Sequence, residues 1–185
     1  MKNHFVKKTL FGGKGYRWFA MLLLVVLLGG EARAQVSIPG TKVKFTFPGK
    51  WKYLNTEKVD ANTMMYLYFY EAKTVCHAGD TTLPFLRIYI RKNYNKPLND
   101  FVFDRWSKEP YQALKDYTKG LGLPATGGMG YIGAYTNLKD RKDYQFRMVY
   151  FMVQNTVVEF RLETTKDTYS QMDAEFVSIL KSLTF

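Results

Sequence analysis

The sequence predicts an α+β fold: a single domain built on a mostly antiparallel sheet with helices packed against it. Three observations lead there. Apolar residues alternate at period two in several runs joined by short links, as in neighbouring antiparallel strands. Two stretches switch to a helical period. Those stretches stand between and after the strands instead of alternating with them, which argues against a doubly wound parallel sheet. Of 185 residues, 46% are hydrophobic and 23% charged, a globular balance that excludes disorder as the default.

The first 34 residues read as a secretory leader. Lys2, Lys7, Lys8, Lys14 and Arg17 precede a purely apolar run, Phe19 to Leu28, and Ala32-Arg33-Ala34 follows. A basic start, a short apolar stretch and a small-x-small site are the parts of a cleaved signal. The run is far short of the ~20 residues that span a bilayer, so no permanent span is expected after cleavage. Removing residues 1–34 leaves 151, the domain 35–185, starting at Gln35. The leader carries six bases against Glu31, so the net charge falls from +11 to +6. That is solubility charge and not a nucleic-acid footprint. The protein is expected outside the cytoplasm, in a periplasm or beyond the cell. One cysteine excludes a disulfide framework.

Within the domain, Val43, Phe45 and Phe47 share one face of a strand that stops at Pro48-Gly49. Trp51 to Leu54 has room for a short second strand. Met64 to Tyr70 is apolar or aromatic throughout, as in a central strand covered on both faces. Leu86, Ile88 and Ile90 alternate with Arg87, Tyr89 and Arg91. Tyr131 to Thr136 is a weaker strand, interrupted by Gly133. Tyr144 to Val153 and Val157 to Thr164 read as a hairpin around Gln154-Asn155-Thr156. Leu98 to Tyr117 reads as helix, capped by Asn99 or Asp100 and broken into two pieces at Pro110. Tyr169, Met172, Phe176, Ile179, Leu180 and Leu183 make one helical stripe, with Thr168 and Gln171 at capping-box spacing. Glu175 lies off that stripe. The least structured segments are expected at Thr74 to Thr82 and Gly120 to Gly130.

The start Val43-Lys-Phe-Thr-Phe-Pro-Gly-Lys-Trp51 and the ending Phe176-Val-Ser-Ile-Leu-Lys-Ser-Leu-Thr-Phe185 resemble the PsbP-like superfamily. Members often open with a strand, a Pro turn and a Trp, and close with a helix of the form F-x-x-I-x-x-S-[FL]-x-F. The group includes the extrinsic photosystem II protein, a small-GTPase-binding relative and many exported bacterial proteins of unassigned role. The resemblance implies an antiparallel sheet between helices, an α/β/α sandwich. It carries over neither a metal or cofactor role, for want of matching residues, nor a small-GTPase partner, given the leader.

Candidate sites are few. Arg87, Tyr89, Arg91, Lys92 and Tyr94, with Lys96 beyond, form a basic-aromatic strip. Interleaved Arg and Tyr bind polyanions or acidic protein faces; a solvated strand face with Tyr on Arg stems looks the same. Cys76 and His77 are the sole Cys-His pair. A thiolate needs its base within reach, and side chains adjacent in a strand point opposite ways. With Asp80 they would make a poor metal site, so no metal and no cofactor is expected. Glu159, Arg161 and Glu163 share one strand face, which fits ion pairing better than acid–base work. The Gly120–Gly130 segment follows a helix and lacks the Lys of a phosphate loop. The reading is a non-enzymatic binding or accessory module whose partner is an envelope protein or an anionic surface ligand, with no nucleic acid. The alternatives are a cell-envelope hydrolase using Cys76 and His77, and a polyanion or cell-surface binder using Arg87–Lys96.

Overall fold

In a computed structural model, the described residues are 35–48, 50–71, 74–75, 81–109, 111, 113–116 and 128–185. Residues Arg33–Phe185 form one compact unit. Its centre is the hairpin of β10 (Lys142–Val153) and β11 (Thr156–Thr165). Gln154 closes the hairpin at φ 56°, the left-handed conformation a two-residue turn demands. β11 also pairs with β7 (Phe85–Arg91), and β10 with β9 (Met129–Asn137). Beyond β7 lie β4 (Thr63–Tyr70) and β3 (Trp51–Lys58); beyond β9 lies β8 (Ala113–Asp116). The seven-stranded order β3-β4-β7-β11-β10-β9-β8 is antiparallel at every pairing.

Period two decides what each face carries. Leu86, Ile88 and Ile90 join Val158, Phe160, Leu162, Val149 and Phe151 in the main core. Helix α2 (Tyr169–Lys181) lays Met172, Phe176, Ile179 and Leu180 on that face. The hairpin of β1 (Gln35–Ser37) and β2 (Lys44–Thr46) covers the rest, with Ile38, Val43, Phe45 and Phe47 buried. Between β1 and β2, Gly40 takes φ 80°, a left-handed conformation that favours glycine, with the end of the Lys92 side chain lying against it. On the opposite face, helix α1 (Leu98–Trp106) buries Val102 against Phe146, Met148 and Tyr150. The result is the expected α+β fold, a sheet with helices on both faces.

Several elements differ from expectation. β3 is longer than Trp51 to Leu54 and carries a bulge between Tyr53 and Asn55. β4 is not central: it is one strand in from the edge, with the side chains of β3 exposed beyond it after Trp51. Its apolar run is nevertheless covered on both faces, with Tyr68 and Tyr70 buried on one, where Tyr68 meets Tyr53 and Phe47, and Met65 buried on the other. The second helical piece expected before Tyr117 is edge strand β8, paired with β9; Pro110 and Tyr117 lie outside the described residues. Pro97, not Asn99 or Asp100, is the N-cap of α1. Thr168 is the N-cap of α2, but its hydroxyl bonds to Thr164 and Thr165 in place of a capping box. Glu175 is half-buried against Tyr70, whose hydroxyl pKa is raised by burial first and then by Glu175. Within Thr74 to Thr82, Thr74–Val75 (β5) pairs with Thr81–Thr82 (β6), and Gly130 belongs to β9.

Candidate functional site

The α1 face of the sheet is where the charged residues of the strands converge. On β7 it carries Arg87, Tyr89 and Arg91. The register sets Arg161 opposite Arg87, Glu159 opposite Tyr89 and Glu163 opposite Phe85. α1 then delivers Arg105, with Glu109 four residues on. The Arg105 Nε donates to Glu159 Oε2 at 3.2 Å, and the Arg161 Nε donates to Glu159 Oε1 at 2.9 Å. Both terminal nitrogens of Arg161 donate to Glu109 Oε1 at 3.1 Å. Two carboxylates and two guanidiniums thus close a four-membered network, with Glu159 and Arg161 buried and Arg105 and Glu109 half-buried at its mouth. Burial by itself would lower the Arg161 pKa; Glu159 first, then Tyr111 and Glu109, outweigh it and hold the guanidinium above its ordinary value. Arg105 is raised on the same balance of burial against Glu159. Tyr89 is the floor beneath them: the Arg105 guanidinium carbon lies 4.8 Å and that of Arg161 5.6 Å from its ring centre, within cation–π range.

Two adjoining clefts flank this network. One, about 150 Å³, runs between α1 and the β4–β7 edge, with Tyr89, Arg91, Phe101 and Arg105 along its walls. The next, around the turn that follows β7, shares Arg91 and Asp104 with it and adds Tyr94 and Lys96. Arg91 donates to Asp60 Oδ2 at 3.1 Å and sits 5.9 Å from the Tyr94 ring centre, and Tyr94 packs edge-on against Phe101. The Asp60 carboxyl is held below its ordinary pKa by the Asn62 backbone N–H and the Thr63 hydroxyl. A third cleft, about 230 Å³, opens at the far end of the same face beside Arg87, which lies 3.5 Å from Glu163.

Four of the five strip residues therefore meet on one face. Lys92 does not: its side chain reaches the other side and lies against Gly40. Asn93 takes φ 58°, a left-handed step that asparagine tolerates, and it turns the chain so that Tyr94 returns to the α1 side. Of the ion pairing read for Glu159, Arg161 and Glu163, the Arg161–Glu159 pair is present, whereas Glu163 is paired by Arg87. Arg105, Glu109 and Asp60 were not singled out from sequence. The i,i+4 spacing of Arg105 and Glu109 was the available signal, but their partners lie 50 or more residues away. Cys76, His77 and Asp80 lie outside the described residues. Among the described residues, no cluster of three His, Cys, Asp or Glu is placed to hold a metal ion, and no helix is long and apolar enough to cross a membrane.

The fold is similar to those of several solved structures. Among solved structures, LpqN, involved in cell envelope biogenesis of Mycobacterium tuberculosis, is similar with a TM-score of 0.51 at 13% identity, over 88% of this chain and 95% of its own. A point mutant of Mog1 is similar with a TM-score of 0.51 at 10% identity, over 82% and 95%. The cyanobacterial PsbP of Synechocystis sp. PCC 6803 gives 0.49 at 11% identity, over 84% and 94%. No protein-family model matches the chain, and no curated protein matches it by sequence.

Proposed function

We propose that the chain is an exported, non-enzymatic binding module that recognises an envelope partner through the α1 face of its sheet. One observation carries this reading: Tyr89, Arg91 and Tyr94 line two adjoining clefts whose walls are held by the four-membered network and by the Arg91–Asp60 pair. Side chains fixed before binding lose little rotamer freedom on contact. The leader-like residues 1–34 and the envelope role given for LpqN support export. The polyanion alternative calls for uncompensated positive charge, yet Arg87 and Arg91 each face a carboxylate.

The test uses residues 35–185 as bait for solubilised envelope proteins of the source cell. A partner should be retained by wild type and lost from Arg91→Glu and Tyr94→Ser variants that melt within a few degrees of it. Equal retention by wild type and both variants would move the site off this face. Tight, salt-sensitive retention on an anionic matrix would favour the polyanion binder instead.

A further inference from the structure

The third cleft, at the end of the sheet away from α1, has a different chemistry. Its floor is aromatic. Tyr135 of β9 and Tyr144 of β10 are cross-strand partners whose rings stack at 5.4 Å and 13°, and Phe85 of β7 lines the same space. All three are half-buried, so ring surface remains open to the cleft. Its polar groups are planar or hydroxylic: Arg87, Glu163, Asn137 and Thr165. The Tyr135 hydroxyl donates to Glu163 Oε1 at 2.9 Å, and Arg87 approaches the same oxygen at 3.5 Å. Glu163 is therefore fixed in place with both contacts on one oxygen, and its charge is balanced by Arg87.

We infer that this cleft is a saccharide-binding site for a neutral sugar ring at the end of, or within, a glycan chain. A sugar presents a weakly positive C–H face, which complements the negative face of an aromatic ring. Each of its hydroxyls both donates and accepts, so adjacent hydroxyls satisfy a carboxylate and a guanidinium together. A charged ligand gains little, because Arg87 and Glu163 already neutralise each other. The space of about 230 Å³ falls below the roughly 300–1,000 Å³ of drug-sized pockets, which suits one ring with the remaining chain in solvent.

The experiment is saturation-transfer NMR and calorimetric titration of residues 35–185 with malto-, cello- and chito-oligosaccharides. At least one series should bind, with perturbed ring signals from Tyr135 and Tyr144. Tyr144→Leu and Asn137→Ala, variants that keep the far network intact, should each weaken binding about tenfold or more, by loss of stacking and of hydrogen bonds. Arg91→Glu, in the other clefts, should leave it unchanged, so this site and the proposed partner face fail independently. No binding by any of the three series overturns the inference. So does binding that well-folded Tyr144→Leu and Asn137→Ala proteins retain at wild-type strength.

Discussion

Glu159 lies in the sheet interior between Arg105 and Arg161, and everything around it depends on its charge. Removing it leaves two guanidiniums facing each other with one carboxylate, Glu109, between them. Breaking a buried pair on one side costs roughly 3–5 kcal/mol, so Glu159→Ala should lower the urea midpoint strongly at neutral pH. Lys115, by contrast, is exposed on β8; Lys115→Ala should shift stability by less than about 0.5 kcal/mol. Two buried tyrosines, Tyr150 and Tyr169, and two half-buried ones, Tyr111 and Tyr135, set the alkaline limit. Tyr111, Tyr150, Tyr135 and Tyr169 are all raised above the ordinary value of 10.0, each by burial first. Nearby carboxylates add to it: Glu109 and Glu159 for Tyr111, Glu159 for Tyr150, Glu163 for Tyr135 and Asp173 for Tyr169. A folded value above the unfolded one means the unfolded chain gives up its protons first. That stability is complete below pH 10.0 and declines as pH rises above it. In an alkaline titration, tyrosinate absorbance should reach the domain's full complement of tyrosines only as near-UV dichroism is lost; full tyrosinate formation with the fold intact would contradict the burial assignment.

At the scale of elements, α2 was the most legible. Its stripe recurs at helical spacing without a break, and Phe176 is fully buried in the main core. Phe176→Ala should cost roughly 3–5 kcal/mol and melt far below wild type, while Gln171→Ala, on the exposed side of the same helix, should stay within about 0.5 kcal/mol. Equal melting of the two would mean that α2 is not docked on the sheet. The β10–β11 hairpin was equally clear, because both strands are long and a short link leaves no other pairing. The segment after α1 was misread for a physical reason. Tyr111 and Leu114 fit a helical period, but an edge strand pairing with β9 through its backbone can also carry that spacing. Local pattern cannot see a partner strand some 20 residues ahead. The capping box failed for a different reason: the Thr168 hydroxyl had two buried threonines three and four residues earlier within reach, and one local bond displaced another.

For the whole molecule, the boundary at Gln35 follows from the proposed export and is testable through the fold. β1 begins there, and Ile38 just after it is 2% exposed in the main core. If the leader is cleaved as proposed, mass spectrometry of the protein recovered outside the cytoplasm should find Gln35 at its N-terminus. A protein starting at Lys42 loses β1 and Ile38. Loss of a buried Ile costs roughly 2–5 kcal/mol, which for a domain of this size lowers Tm by about 2–4 °C per kcal/mol. A truncation that melts like residues 35–185 would show that β1 contributes nothing to the domain.

The sequence by itself determined the α+β class, the antiparallel hairpin, the docked last helix and the charged face of β7, because each is written in a short-range period that burial enforces. It also determined that Glu159, Arg161 and Glu163 share a side. Only the tertiary structure decided what those charges do. Strand order placed β7 beside β11, and α1 folded over both, so Arg105 and Glu109 met Glu159 and Arg161 from more than 50 residues away. One left-handed residue, Asn93, sent Lys92 to one side and Tyr94 to the other. Which charges end up paired depends on contacts between distant strands, and no local spacing encodes those.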